Sequence, residues 1–129
     1  MVFFALTVAP TVFKVLSAEH AGTFLRAFFP VYYLWGLVMA LFAAGVAIEV
    51  NSVVSVVLLL IALLFVFARQ TLMPLINHAR DDELRAKPGA ARRFKILHLC
   101  SVLINGLQML MLLVAGGMVI KGVGHAVWL

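Results

Sequence analysis

The sequence predicts an all-α integral membrane protein, a four-helix bundle with antiparallel, up-and-down topology. Hydrophobic residues make up 65% of the 129 residues and charged residues only 12%, whereas soluble domains carry about 25% charged residues. The mean hydropathy of +1.15 agrees with this composition. A body of this size cannot hide so much apolar surface from water, so we expect lipid to be its solvent.

The helices are predicted from the segments that carry no charge. A spanning helix needs about 20 mainly apolar residues, and three segments without Asp, Glu, Lys or Arg approach or exceed this length: 27–48, 50–68 and 96–120. Residues 70–86 are expected to continue the third helix out of the membrane, with Pro74 as a kink. Lys87-Pro88-Gly89 then breaks the helix.

Residues 1–16 are predicted to form a shorter first crossing. They are apolar up to Lys14 and have neither a basic region before them nor an A-x-A cleavage site after them, so we favour a crossing over a signal peptide. Pro10 is expected to kink this helix. The prediction is therefore one domain, 1–129, with helices at 1–16, 27–48, 50–86 and 90–120.

The basic residues predict the orientation of the bundle. Every lysine and arginine except Lys121 lies between residues 14 and 26, where the first helix joins the second, or between residues 69 and 95, where the third joins the fourth. These connections share one side of the membrane, and the positive-inside rule assigns that side to the cytoplasm. Both termini are then outside. The net charge of +5 is explained by this basic helical loop meeting anionic lipid, and we do not expect nucleic acid as a partner.

The second helix carries a stripe of small residues at a spacing of four, Gly36, Ala40 and Ala44. Small side chains let a neighbouring helix approach closely in a membrane. Packing within the chain and a seam with a second copy or a membrane partner both remain open. Beside the stripe, a group of aromatic residues is predicted to form a belt at the membrane interface: Tyr32, Tyr33 and Trp35.

The last helix carries polar residues on one face within an apolar segment: His98, Ser101, Asn105 and Gln108. Polar side chains rarely face lipid, so this face should point into the bundle. It either forms hydrogen bonds between helices or lines a site. Arg69 ends the third apolar segment and could snorkel to the surface, cap its helix or bind an anionic head group. Asn77 lies further along the same helix.

Three histidines are predicted on the cytoplasmic side, His20, His78 and His98, where they could hold copper or a haem iron. Their spacing matches no metal motif, so solvated histidines are the simpler interpretation. No carboxylate lies inside any crossing, and the sequence has no phosphate-binding loop or nucleophile elbow. The first absence argues against a proton-coupled pump or a cation transporter, and the other two argue against an enzyme. No cofactor is expected in the favoured hypothesis.

Three motifs resemble the transmembrane-protein-205-like family, whose defining part is a four-helix membrane domain of unknown function (DUF4149). They are Phe29-Pro30-Val31-Tyr32-Tyr33, Ala68-Arg69 followed by Pro74, and Phe94 with His98-x-x-Ser101-x-x-x-Asn105. The arginine-to-proline spacing is one residue longer than in animal members and the cytoplasmic loop is shorter, which indicates a bacterial branch. The resemblance implies a multi-pass protein of a bacterial inner membrane. It implies no known activity.

The leading hypothesis is a cytoplasm-facing polar pocket that binds a small ligand, a lipid head group or a partner protein. The residues that would line it are Arg69, Asn77, His98, Ser101, Asn105 and Gln108. The alternative is a haem- or copper-binding redox or metal-handling protein that uses His98 with His20 or His78. A third hypothesis is a structural accessory subunit that docks through Gly36, Ala40 and Ala44.

Overall fold

Helices alone build the part of the protein that the structure describes. The computed structural model describes residues 2–127, with side chains up to Lys121. It contains α1 (Ala9–Val15, after a π-helical turn at Phe4–Val8), α2 (Ala18–Ala47), α3 (Ser52–Phe67), a π-helical turn at Ala68–Leu72, α4 (Met73–Leu84) and α5 (Ala90–Val127). No strand occurs within residues 2–127, and the prediction of an all-α chain is confirmed.

Three helical stretches are long and apolar enough to cross a membrane: Ala18–Ala47, Ser52–Leu84 and Ala90–Lys121. The stretch Phe4–Val15 is also apolar, but it is shorter. Large hydrophobic side chains cover the outside of the long helices, among them Phe42, Leu63 and Leu113, which are 68%, 64% and 67% exposed. Because such a surface is unfavourable in water, it supports a helical bundle in a lipid bilayer.

The second helix begins at Ala18, whereas the sequence predicted a start at residue 27. Ser17 caps it, because its side-chain oxygen accepts a hydrogen bond from the backbone N–H of His20 at 3.4 Å. Glu19 in the first turn suits the positive end of the helix dipole. The predicted boundary was the first residue of the charge-free segment. Charged residues mark the limit of the apolar segment, but they can belong to the same helix, which here starts nine residues earlier.

Helices α2 and α3 form an antiparallel hairpin closed by a short turn. The backbone N–H of Asn51 donates to the Ala47 carbonyl at 2.8 Å, and its side chain accepts from amides in the first turn of α3. Further along, Ser55 Oγ donates to the Ala44 carbonyl at 2.8 Å. This bond satisfies a buried hydroxyl, and it ties the two helices together near the turn.

The small residues of α2 lie against α3. A Cβ added at Gly36 would come 2.5 Å from Cε1 and Cζ of Phe65, so the ring lies directly on the glycine backbone. Ala40 and Ala44 are 5% and 2% exposed in the same core. The stripe that the sequence singled out therefore faces the interior of this chain.

Two π-helical turns stand directly before prolines. The N–H of Ala9 bonds to the Phe4 carbonyl before Pro10, and the N–H of Met73 bonds to the Ala68 carbonyl before Pro74. A proline ring clashes with the carbonyl four residues earlier and supplies no N–H. The wider turn accommodates this clash, so the kinks expected at both prolines take the form of π-helical turns.

Charged residues join the helices at the end of the bundle away from the α2–α3 turn. Arg26 on α2 and Asp81 on α4 form an ion pair at 2.5 Å. Lys87 pairs with Asp82 at 2.6 Å just before the chain turns into α5. Gly89 in that turn has a φ of 74°, which favours a residue without Cβ. The ion pairs are partly exposed and contribute little stability, but they bring α4 alongside α2.

We predict that Gly36→Ala destabilises the protein by about 1–3 kcal/mol, because the new methyl group overlaps the buried Phe65 ring. The measurement is the thermal unfolding midpoint in mild detergent. Gly45→Ala is the matched control in α2, since a Cβ there meets nothing within 4 Å. Equal midpoints for the two variants would show that the close contact at Gly36 does not exist.

Candidate functional site

A partly buried polar cluster joins α2 and α5. Asn105 Nδ2 donates to the Tyr33 hydroxyl oxygen at 3.3 Å and to the Ser101 carbonyl at 2.8 Å. The Tyr33 hydroxyl also lies 3.5 Å from Ser101 Oγ. Two residues of the predicted polar face of the last helix, Ser101 and Asn105, thus meet one side chain from the second helix. The cluster lies inside segments that are otherwise apolar.

Tyr33 is the member of this cluster that the sequence analysis missed. It was expected in an interfacial belt, but it is only 3% exposed, with its ring 5.6 Å from Phe29 and 6.2 Å from Phe65. The signal was its position three residues before Gly36, which places it on the small-residue face of α2. Trp35, two residues further, is 64% exposed, so the two aromatic side chains lie in different environments.

Arg69 lies in the π-helical turn that contacts both α2 and α5, the two helices that form this cluster. It follows Phe65 by four residues, which places it on the same face of the helix, and Phe65 packs against Tyr33. The residue is partly buried, and its Nε is fully buried with no hydrogen-bond partner among the described residues.

The register of α5 against α3 and α4 agrees with this placement. Gln108 on α5 bonds to the Ile61 carbonyl, and Phe94 on α5 lies under the Arg80 guanidinium, 5.3 Å from its ring centroid. Arg69 lies between Ile61 and Arg80 in the chain. Because the helices run antiparallel, interpolation between the two contacts puts Arg69 opposite the turn of α5 that carries Ser101.

Gln108 makes a separate polar contact deeper in the bundle. It is 0% exposed, and its Nε2 donates to the Ile61 carbonyl at 3.4 Å. Its Oε1 has no partner among the described residues. Gln108 therefore joins α5 to α3, about one turn away from Asn105, and makes no hydrogen bond to Tyr33 or Ser101.

The structure does not bring His98 or Asn77 into the cluster. His98 is exposed and stacks on Phe94, with ring centroids 5.9 Å apart. Asn77 is partly buried on α4, about two turns beyond Arg69. Neither makes a hydrogen bond to Tyr33, Ser101 or Asn105 within the part of the chain that is described.

The histidines proposed as metal ligands lie in different local settings. His20 is exposed and its Nδ1 lies 2.7 Å from Ser17 Oγ at the start of α2. His78 on α4 and His98 on α5 are both exposed. Among the described residues, no three side chains of His, Cys, Asp or Glu come together in a way that could hold a metal ion.

An apolar cavity of about 440 Å³ lies at the other end of the bundle, near the α2–α3 turn. Its lining includes Phe42 and Val46 from α2, Leu58 from α3, and Leu112 and Ala115 from α5. Among the residues whose side chains are described, none that lines it is polar, so none would orient a ligand. The polar cluster with Arg69 is therefore the better candidate site.

The fold and this polar cluster define a small multi-helix membrane protein. A family model for a domain of unknown function (DUF4149) matches residues 1–85, and the chain belongs to this family. The match includes Tyr33 and Arg69, whereas Ser101 and Asn105 lie beyond it. The narrower resemblance to the transmembrane-protein-205-like proteins stays a prediction. No curated protein and no solved structure matches the chain.

The hydroxyl of Tyr33 is expected to stabilise the α2–α5 contact. Tyr33→Phe keeps the ring and removes the atom that meets Ser101 and Asn105. Hydrogen bonds between membrane helices are worth on average about 0.6 kcal/mol and at most about 1.7, so we predict a loss in that range. The unfolding midpoint in detergent checks it. Tyr32→Phe, at a tyrosine with no hydrogen bond among the described residues, should stay at the wild-type value; a loss of the same size there would contradict this assignment.

Proposed function

We propose that the protein crosses a bacterial inner membrane four times, with both termini outside and the basic segment between α4 and α5 in the cytoplasm. The segment Phe4–Val15 supports the fourth crossing, because it turns at Leu16 and folds back along α2. Its Phe4 ring stacks on Phe28 with centroids 5.1 Å apart. The orientation rests on the positive-inside rule, and it lets the basic segment meet anionic lipid.

Labelling with a membrane-impermeant maleimide tests this orientation. Cys100→Ala removes the single cysteine, and new cysteines are then placed at two exposed positions, Val50 and Ala91. We predict that Val50→Cys reacts from outside in intact spheroplasts, while Ala91→Cys reacts only after the inner membrane is opened. The reverse pattern would invert the topology, and labelling of both from one side would contradict a crossing by the stretch from α3 to α4, which lies between the two positions.

We further propose that the protein binds a small ligand or a lipid head group, without chemistry of its own, at the site formed by Arg69, Tyr33, Ser101 and Asn105. The observation that carries this proposal is the partly buried polar cluster near a partly buried arginine. Packing of apolar helices in lipid requires none of these groups. Each is a hydrogen-bonding side chain of the kind that fixes the orientation of a ligand in an otherwise apolar site.

Binding is favoured over catalysis by the types of residue present. Tyr33, Ser101 and Asn105 supply hydroxyl and amide groups, and Arg69 supplies a permanent positive charge. A nucleophile needs a general base within hydrogen-bond reach. The cluster as described contains neither a histidine nor a carboxylate that could act as one.

Mass spectrometry of molecules that copurify with the protein tests the binding proposal. We predict that a bound species present in the wild type falls by about tenfold in the double variant Ser101→Ala, Asn105→Ala, because each lost hydrogen bond costs about 0.5–1.5 kcal/mol. Cys100→Ala is the control, since this exposed residue adjoins Ser101 without joining the cluster. Identical bound species in all three proteins would contradict the proposal.

A further inference from the structure

We infer that the ligand of this site is an anion of the phosphate class and that Arg69 is the residue that holds its charge. The inference rests on the proposed binding function and adds the chemical class of the ligand. It follows from the charge balance at this end of the bundle, the position of Arg69 and the kind of groups around it.

The three carboxylates of α4 pair with cations other than Arg69. Asp81 pairs with Arg26 at 2.5 Å, Glu83 with Arg80 at 2.6 Å and Asp82 with Lys87 at 2.6 Å. Arg69 forms no ion pair among the described residues. An arginine keeps its charge at any pH that proteins experience, so its positive charge lacks a balancing group from the described chain.

The position of Arg69 along its helix keeps these carboxylates out of its reach. Asp81 is the nearest acidic residue further along the helix, and it lies about 18 Å away at 1.5 Å per residue. On the other side of Arg69, α3 carries no charged residue. A charged group next to such a segment is unfavourable unless it finds a partner of opposite charge.

The groups near Arg69 are neutral. Asn105 uses both of its amide hydrogens, on the Tyr33 hydroxyl and on the Ser101 carbonyl. The Tyr33 and Ser101 hydroxyls share one contact, so one O–H of this pair can still direct a hydrogen toward a bound oxygen, and no carboxylate of the described chain stands among them to repel an anion. The guanidinium fork matches the paired oxygens of a phosphate. In apolar surroundings the attraction between opposite charges is stronger than in water. A phosphate group therefore fits this site better than a cation or a neutral ligand.

The phosphate could come from a lipid head group or from a soluble phosphate compound, and both present the same oxygens to Arg69. Thermal unfolding of the full-length protein in neutral, phosphate-free detergent distinguishes them. The additions are phosphatidylglycerol, inorganic phosphate, and phosphatidylcholine as the zwitterionic comparison. We expect phosphatidylglycerol or inorganic phosphate to raise the wild-type midpoint in a saturable way, and by more than phosphatidylcholine does. The anion that produces this rise identifies the source of the phosphate.

Arg69→Met is the decisive variant because it should preserve or raise the unfolding midpoint without anion but weaken the binding of the anion. Without added anion it should unfold at or above the wild-type midpoint, since an unpaired charge leaves apolar surroundings. With the anion, its half-saturation should be about tenfold or more weaker, because charge-assisted hydrogen bonds are lost. Arg69→Lys keeps the positive charge without the guanidinium fork, and it replaces Arg69→Met in the test if that variant does not fold. Arg69→Lys should retain part of the rise in midpoint that the anion produces.

Lys121→Gln is the matched control, since it removes one exposed positive charge about 30 Å further along α5 than Ser101. It should keep the full anion response. The inference is overturned if neither anion exceeds phosphatidylcholine, if Arg69→Met keeps the response, or if Lys121→Gln loses it equally. One further outcome separates this inference from the proposed binding function. If neither anion raises the midpoint, but a neutral species copurifies with the wild type and is lost in Ser101→Ala, Asn105→Ala, the site binds a ligand that is not an anion.

Discussion

The contact between Gly36 and Phe65 determines where the candidate site can form. With no side chain at Gly36, the Phe65 ring rests on the backbone of α2, and this close approach fixes how α3 is set against α2. One turn away on α2 is Tyr33, and one turn away on the α3 side is Arg69, on the same faces as the contact residues. The tyrosine and the arginine therefore come to the same level of the bundle as a consequence of apolar packing.

Pro74 also constrains the helix at the level of Tyr33 and Arg69. The ring of this proline does not fit a regular α-helix, and the preceding π-helical turn at Ala68–Leu72 absorbs the misfit. Arg69 lies within the wider turn, between an apolar helix and a polar one. Turns of this kind often occur at functional sites, since they shift the direction of side chains relative to the rest of the helix. Pro10 follows the same kind of turn, but no polar cluster accompanies it, so the turn alone does not make a site.

The sequence predicted the membrane character and half of the site for one physical reason, namely that polar groups in apolar segments are costly unless they face a partner. That reasoning located Ser101, Asn105 and Gln108, which all lie inside the bundle. It could not place His98, because this residue comes three positions after Lys95, at the start of the apolar segment, where a histidine can keep its polar tip in water. It also could not reveal Tyr33, because an aromatic residue near the end of an apolar segment suits the interface and the core equally. The choice between them depends on the neighbouring helix.

The remaining alternative is that the polar residues only hold the helices together. The hydrogen bonds fit this role for three of the four residues of the site but not for Arg69. Tyr33, Ser101 and Asn105 bond to one another, so their contribution to helix association is complete without any charge. Arg69 takes no part in those bonds, although its Nε is fully buried without a hydrogen-bond partner among the described residues. The tyrosine, serine and asparagine thus form a neutral framework that holds α5 to α2, and Arg69 is the charged group that the proposed site offers to a ligand.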